Sequence, residues 1–353
     1  MTGWLVARLG RALGAAWLIA SLVFIVSRTL PGGPEQQALS EAGDLSRPTA
    51  AVVSVASQAA SQQALRQRLG LGLPLFYVSR VPGPHGPWQW HGAANQYHAW
   101  LRGLLHGDWG SSYRDGQPVL DLVRPALAYT LPLAGAAALL AAGLALLLAL
   151  YLARASGGWL RRLVRAGLSA LQVVPLFLLA LGLLLLLANP DVLNLLPAAG
   201  QAPPASTAGQ LAAYWLARAA LPLLSLVLAV LPELTLPLAA ALHHETQAGY
   251  ATTARAKGLT EAQVLRRHAL PNALLPLLTT FTDLLPTLAA GVVVVEVLFA
   301  LPGTGRLLAE AAAAHDYPLV VAGVLLTAGA RLLALVLADV LYFLLDPRLR
   351  PTA

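Results

Sequence analysis

Cysteine is absent from the 353 residues. That removes disulfide frameworks, thiolate metal sites and cysteine nucleophiles together. Charge is scarce too: 11% of residues are charged and 57% are hydrophobic, where soluble domains carry about 25% charged residues. The deficit argues against a water-soluble globular chain, and against disorder, which needs the opposite balance. Lysine is nearly missing, Lys257 being the sole example, so the formal charge of +7 rests on arginine. Those arginines flank apolar runs rather than cluster on a polar face, which fits a membrane better than a nucleic-acid partner. There is no G-x-x-x-x-G-K-[ST] segment, so any ATP chemistry must come from another polypeptide. His244-Glu245 is followed at 248 by Ala248, so the H-E-x-x-H zinc-protease pattern is not met. No repeat of fixed period is seen.

What the chain has is long apolar runs. A helix crossing a bilayer needs about 20 mostly apolar residues. The clearest run lies between Arg124 and Arg154 without a charge; the next lies between Arg165 and Asp191. A third runs from about Ala219 to Leu242, broken by Glu233 and by Pro222, Pro232 and Pro237. A fourth extends from about Asn272 to the Val292–Val295 stretch. A fifth extends from about Leu319 to Leu345, interrupted by Arg331 and Asp339. A shorter segment, about Ala12 to Val26, follows Arg8 and Arg11. Its basic start also fits a secretory signal, but no Ala-x-Ala cleavage site follows, which favours a retained span. The expected fold is an all-α polytopic membrane protein with about six transmembrane helices.

Six spans put both termini on one side. With that side in the cytoplasm, twelve basic residues lie inside, while the two short outer loops hold only Arg218 and Arg306. This is the positive-inside asymmetry. The division expected is 1–30 for the N-terminus and first span, 31–124 for a long external segment, and 125–353 for the core. Within the external segment, Glu35 to Ala64 is polar and expected to be partly helical, and Pro82 to Trp90 reads as an irregular loop. His85, His91, His98 and His106 also lie there, at a spacing that matches no metal signature. They are read as ordinary loop histidines.

The loop between the fourth and fifth of the six spans, about 250–271, is the most informative stretch. Arg255 and Lys257 stand in the last turn of a short helix former, where cations suit the dipole. Gly258 supplies the left-handed residue that ends a helix. Thr260 and Gln263 have capping-box spacing, so a second helix starts at once and runs to about Leu270, with Pro271 at its junction with the next span. Helix, glycine turn and helix at a membrane surface would suit a cytoplasmic partner. Composition alone favours an ordinary amphipathic interhelical loop.

Ala254-Arg255-Ala256-Lys257-Gly258, nine residues, then His268-Ala269-Leu270-Pro271 resembles the "EAA loop" of binding-protein-dependent ABC importer permeases. The wording is similar to the oligopeptide/dipeptide/nickel family, first-subunit type. Further matches fall in order: Leu30-Pro31-Gly32-Gly33-Pro34, Leu69-Gly70-Leu71 before Pro74-Leu75, Gly107-Asp108-Trp109-Gly110-Ser111-Ser112 before Pro118-Val119, Glu296-Val297-Leu298-Phe299 before Pro302-Gly303-Thr304-Gly305-Arg306, Asp316-Tyr317-Pro318, and Asp346-Pro347-Arg348. Departures are Gly33 where the family usually has aspartate, Thr253 where the general motif has glutamate, an insertion at about 78–96, and Leu335 in place of a usual asparagine, with Arg331 unexpected.

The resemblance implies a non-catalytic permease subunit in a bacterial inner membrane. A second permease subunit, two cytoplasmic ATP-binding subunits that hold ATP and Mg, and an extracytoplasmic solute-binding protein would complete the system. It implies no cofactor and no metal on this chain, and peptides or a related small solute as cargo. The ATPase contact is assigned to Ala254, Arg255, Ala256, Lys257, Gly258, Thr260, Glu261 and His268. Gate or pathway residues are Glu233, Asp283, Glu296, Pro302, Gly303, Gly305, Arg331 and Asp339. Intramembrane charges are costly and default to functional hypotheses. Glu233 would pair with Arg331, or one of them would face a wet cavity; a buried pair or a contact with the partner permease is the plainer reading. The alternative function is a proton-coupled secondary transporter using Glu233, Asp283 or Asp339; it would be supported by inverted repeats, which are not seen. An enzyme would need a convergent catalytic set, which cannot be assembled from these residues.

Overall fold

The computed structural model describes residues 2–29, 72–80, 86–154, 158–196 and 208–345. Helix dominates. In chain order the elements are α1 (Thr2–Thr29), β1 (Val78–Arg80), β2 (Trp88–Trp90), α2 (Gln96–Leu105), α3 (Val119–Leu152), α4 (Trp159–Val173), α5 (Leu176–Leu187), α6 (Ala208–Thr246), α7 (Gly249–Ala256), α8 (Glu261–Val264), a π-helical turn (Leu265–Ala269), α9 (Leu270–Leu298), α10 (Thr304–Ala313) and α11 (Tyr317–Leu345). The helical expectation for 35–64, the motifs at 30–34 and 69–71, His85, and the Asp346-Pro347-Arg348 end lie outside the described residues.

Among the described residues, three helices are long and apolar enough to cross a bilayer: Val119–Leu152, Leu216–Thr246 and Tyr317–Val336. The pair α4 and α5 passes the same test together, and Leu13–Val26 and Leu284–Leu298 are shorter apolar helices. These fall on the six apolar runs of the sequence. The run between Arg165 and Asp191 is not one straight helix, because α4 and α5 meet at 112°. The break falls at Val174-Pro175, with Pro175 at the N-cap of α5. Proline has no N–H for the helix ladder and pushes its predecessor out of the α region; Val174 is accordingly extended (φ −77, ψ 119). α5 alone spans about 18 Å at 1.5 Å per residue, short of the ~30 Å hydrocarbon layer.

Two compact units are present. One comprises 1–13, 125–309 and 327–353; the other 14–124 and 310–326. The first is built around α6 and α9. Leu221, Leu226, Leu234, Leu238 and Leu242 of α6 are buried with Leu288, Val292 and Val295 of α9. α3 contributes Ala137, Ala141, Ala145 and Ala149 to that core, one residue every four. Four-residue spacing lines small side chains along one face, and small faces let helix backbones approach closely where lipid supplies no hydrophobic drive. Within α6, Ser225 and Thr235 are fully buried and donate to the carbonyls of Leu221 and Leu231 (2.8 and 2.7 Å), so neither hydroxyl is stranded.

The second unit is held by aromatic rings. Phe24 of α1 stacks on Trp100 of α2 (centroids 4.8 Å, 26°) and meets Tyr97 edge-on at 5.6 Å. The Tyr97 hydroxyl and Ser21 Oγ share a 2.7 Å hydrogen bond. The stretch expected as an irregular loop instead contributes to a hairpin. β1 pairs antiparallel with β2 in the register Val78↔Trp90, Ser79↔Gln89, Arg80↔Trp88. Trp-Gln-Trp is a β-forming alternation, which the neighbouring prolines and glycines masked. Asp316, nearly buried, receives Ser112 Oγ, and Tyr113 N at 3.1 Å. That pairing joins two of the short motifs read above across about 200 residues of sequence.

Candidate functional site

The elbow between α6 and α9 forms from local chemistry. Gly258 adopts φ +86, a left-handed conformation that side chains rarely tolerate, and ends the first helix. Thr260 Oγ1 accepts from Gln263 N at 3.4 Å while Gln263 Oε1 accepts from Thr260 N at 2.9 Å, completing the capping box. Ala251, Ala254 and Val264 are buried together, with Leu259 packed on them. The elbow therefore carries a small core of its own. The second helix meets the next span at Leu270-Pro271, where the junction was expected, without a break. It passes into α9 through the π-turn, where Leu270 N donates to Leu265 O, five residues back. The proline lacks the N–H that α spacing would use, and a wider turn accommodates that loss.

Arg255 ties the elbow together. Its Nε and Nη2 donate to the two Glu261 carboxylate oxygens at 2.7 and 3.2 Å, and Nη2 also reaches Thr246 O at 2.8 Å. The bond to Arg255 holds Glu261 below the usual carboxylate range, partial burial opposing it, and the same bond raises Arg255. Tyr250 donates to Glu245, and burial first, then this bond, keep its phenol protonated beyond its ordinary value. Of the residues assigned to the ATPase contact, Ala256, Lys257, Gly258, Thr260, Glu261 and His268 are exposed, Arg255 is half-buried and Ala254 is turned inward. Arg266 and Arg267, not chosen from sequence, are exposed beside them.

The residues assigned to a gate divide. Glu296 is fully buried near the end of α9. Its Oε1 accepts from Thr130 Oγ1 at 2.6 Å and its Oε2 from Gly305 N at 2.6 Å and Arg306 N at 3.3 Å. The carboxylate thus sits at the N-terminus of α10, where orphan N–H groups and the helix dipole favour negative charge. Thr130 in turn accepts from Thr304 N and Thr304 Oγ1, at 2.9 and 3.0 Å, so its hydroxyl is saturated. A Cβ on Gly303 would fall on the Glu296 carboxylate, and one on Gly305 on the Cα of Val293. Pro302 is exposed at the turn's edge. Arg218 and Arg306 both donate to Ala300 O, at 3.4 and 3.0 Å, just past the C-terminus of α9 where cations are favoured. Thr130 was not singled out in the sequence, because nothing local marks it; Arg218 and Arg306 were named there only for their charge and motif, not as partners of one carbonyl.

Glu233 is exposed on α6 and borders a cavity of about 310 Å³ with Gln172, Leu226, Thr287, Leu288 and Gly291. No ion pair joins it to Arg331 among the described residues, and Arg331 is itself exposed. Asp283 and Asp339 fall within α9 and α11, and their side chains lie outside the described residues. Between α1 and α3, His91 bonds Ser79 (2.7 Å), His98 bonds Tyr77 (3.1 Å) and His106 bonds Arg102 O (2.7 Å). Among the described residues, no three His, Asp or Glu side chains converge as a metal site would require.

Comparison with known proteins bears on nearly the whole chain. Residues 145–351 match the family model of the binding-protein-dependent transport system inner membrane component. The probable D,D-dipeptide transport system permease protein DdpB of Escherichia coli K12 is 30% identical over 369 residues, covering 99% of this chain and 98% of that one. A putative peptide transport system permease protein of Brucella abortus is 31% identical over 352 residues, covering 99% of each. The dipeptide transport system permease protein DppB of Lactococcus lactis is 27% identical over 352 residues, covering 99% of this chain and all of that one.

Proposed function

The chain belongs to the family of binding-protein-dependent transport system inner membrane components, and from that premise we propose how it works. It is a non-catalytic permease subunit of an ABC importer. In our reading, peptides are its cargo, in keeping with the relatives named as peptide and dipeptide permeases. A second permease subunit completes the pathway, and two ATP-binding subunits grip the cytoplasmic loops of the permease pair, the elbow 250–271 being this chain's.

The observation that carries this reading is the elbow itself. It is a small folded body, closed by the Arg255–Glu261 pair and its own apolar core, that presents Lys257, Gly258, Thr260 and His268 outward. It is also continuous with α9 through the π-turn. Force applied to its exposed face would pass directly into a helix of the central core. On the pathway side we place Glu233: a carboxylate exposed on an apolar helix is costly against lipid, and a wet pathway relieves that cost. The Glu296 cluster would fix the outer end of α9 against α10 during the cycle.

Replacing Arg255, Lys257 and Gly258 together should abolish co-purification of the ATP-binding subunits while the chain still inserts. An intact complex after that replacement would overturn the docking assignment. Because the chain has no cysteine, Lys257→Cys gives a unique thiol. It should react with a membrane-impermeant maleimide in inside-out vesicles and stay unreacted in intact spheroplasts. Uptake driven by a proton gradient without ATP would favour the secondary-transport alternative.

A further inference from the structure

The elbow has an inner side as well as an exposed one. A cavity of about 860 Å³ lies between it and the adjoining ends of α3 and α6. Its wall combines two chemistries. Leu147, Leu150 and Leu265 are apolar, while Arg154, Arg266 and His243 are basic. Glu261 is the one acidic group of the lining, and Arg255 already neutralises it through two hydrogen bonds. Arg161 adds charge at the rim, its guanidinium 5.4 Å from the ring of the lining residue Tyr151. No ion pair engages Arg154 or Arg266 among the described residues, and both are exposed.

Cavities of this composition suit an amphiphile with an anionic head. The site lies where two helices long and apolar enough to cross a bilayer give way to a polar elbow. Basic pockets between spanning helices on the cytoplasmic side are suited to acidic lipid headgroups. Leu147, 65% exposed on α3, offers apolar surface beside the arginines, which a soluble anion has no use for. Of the residues assigned to the ATPase contact, Arg255 and Glu261 line the cavity and are bonded to each other, while Lys257, Gly258, Thr260 and His268 do not line it.

We propose that this cavity binds an anionic glycerophospholipid, its phosphodiester met by Arg154 and Arg266 and the start of its acyl chains laid against Leu147, Leu150 and Leu265. The bound lipid would join the ends of α3 and α6 to the elbow. This rests on the reading that the elbow lies at the cytoplasmic surface.

The test uses the whole complex, purified with its ATP-binding subunits and placed in nanodiscs of phosphatidylcholine with one quarter phosphatidylglycerol. Native mass spectrometry reads which lipid stays bound. Phosphatidylglycerol should be retained over phosphatidylcholine. An R154Q/R266Q variant should lose that retention on the order of 20-fold, from the loss of two interfacial arginines; R154K/R266K should keep most of it. Equal retention of both lipids, or unchanged retention in R154Q/R266Q, overturns the proposal. Displacement by millimolar inorganic phosphate also overturns it, by reducing the cavity to a free-anion site. The same preparations report the ATP-binding subunits separately. Their absence from the wild-type complex defeats the coupling reading, whereas their presence without lipid preference defeats this proposal alone.

Discussion

Two glycine turns bracket α9, and they need glycine for opposite reasons. Gly258, before it, has open space where a Cβ would go but a backbone at φ +86. Gly303 and Gly305, after it, have no such backbone but no room, with the Glu296 carboxylate and the Val293 backbone in the way. The first turn is conformational and exposed; the second is steric and closed. One end of the helix is therefore shaped to be handled from outside, and the other to be held still. Substitutions that separate space from conformation should sort the two ends.

The largest effect is expected at the closed end. Glu296→Ala removes the acceptor from the Thr130 hydroxyl and from two backbone N–H groups. Stranding buried donors costs about 1–3 kcal/mol each, so a loss of about 4 kcal/mol is expected. It should appear as a marked fall in the thermal midpoint of the purified complex. Glu296→Gln keeps an acceptor and should cost about half as much. Equal midpoints for Ala and Gln would mean that the carboxylate does not hold α10. Next comes Gly305→Ala, which forces a methyl against the Val293 backbone and should cost about 2–3 kcal/mol, in the range of overpacked cores. If Gly305→Ala is neutral by thermal denaturation, the close approach is not a constraint.

How much of this was readable beforehand follows from distance along the chain. The elbow's turn and capping box rest on residues within about ten positions of one another, so Gly258, Thr260 and Gln263 announced themselves. Glu296 was visible as part of a motif but not as a clasp, because its partner Thr130 is 166 residues away. Ser112 and Asp316, 204 residues apart, were legible as two motifs and not as one contact. The break between α4 and α5 had a local signal in Pro175 that uniform hydrophobicity outweighed. The alternating Trp88-Gln89-Trp90 was likewise overruled by its proline- and glycine-rich neighbours. The cavity behind the elbow has no linear trace at all, since Arg154, His243 and Arg266 come from three separate segments.

At the open end, Gly258→Ala should behave differently from Gly305→Ala. The methyl meets nothing, so the cost is that of a left-handed non-glycine residue, about 1–2 kcal/mol, confined to a body with its own core. The thermal midpoint of the complex should hardly move while peptide-stimulated ATP hydrolysis falls. Gly258→Asn, whose side chain tolerates that conformation better, should recover part of the activity. A midpoint loss in Gly258→Ala as large as in Gly305→Ala would erase the distinction between the two turns.

The smallest effect is expected from the Arg255–Glu261 pair, which is exposed and screened. Its sign is set by Glu261, whose folded value lies below that of the unfolded chain. A group depressed on folding adds stability above its unfolded value and loses it as pH falls through the folded one. The pair is therefore whole at neutral pH and fades in acid, below the ordinary carboxylate range near pH 4. Arg255 is raised by the same contact and gives no loss at attainable alkaline pH. Hydrogen exchange over residues 255–264 reads this directly. Glu261→Gln should exchange faster than wild type at pH 7, and the two should coincide once the solution is acid enough to protonate Glu261. Identical exchange at pH 7 would leave the capping box and the small apolar core as the elbow's whole support. The elbow would then owe its shape to Thr260, Gln263 and Val264.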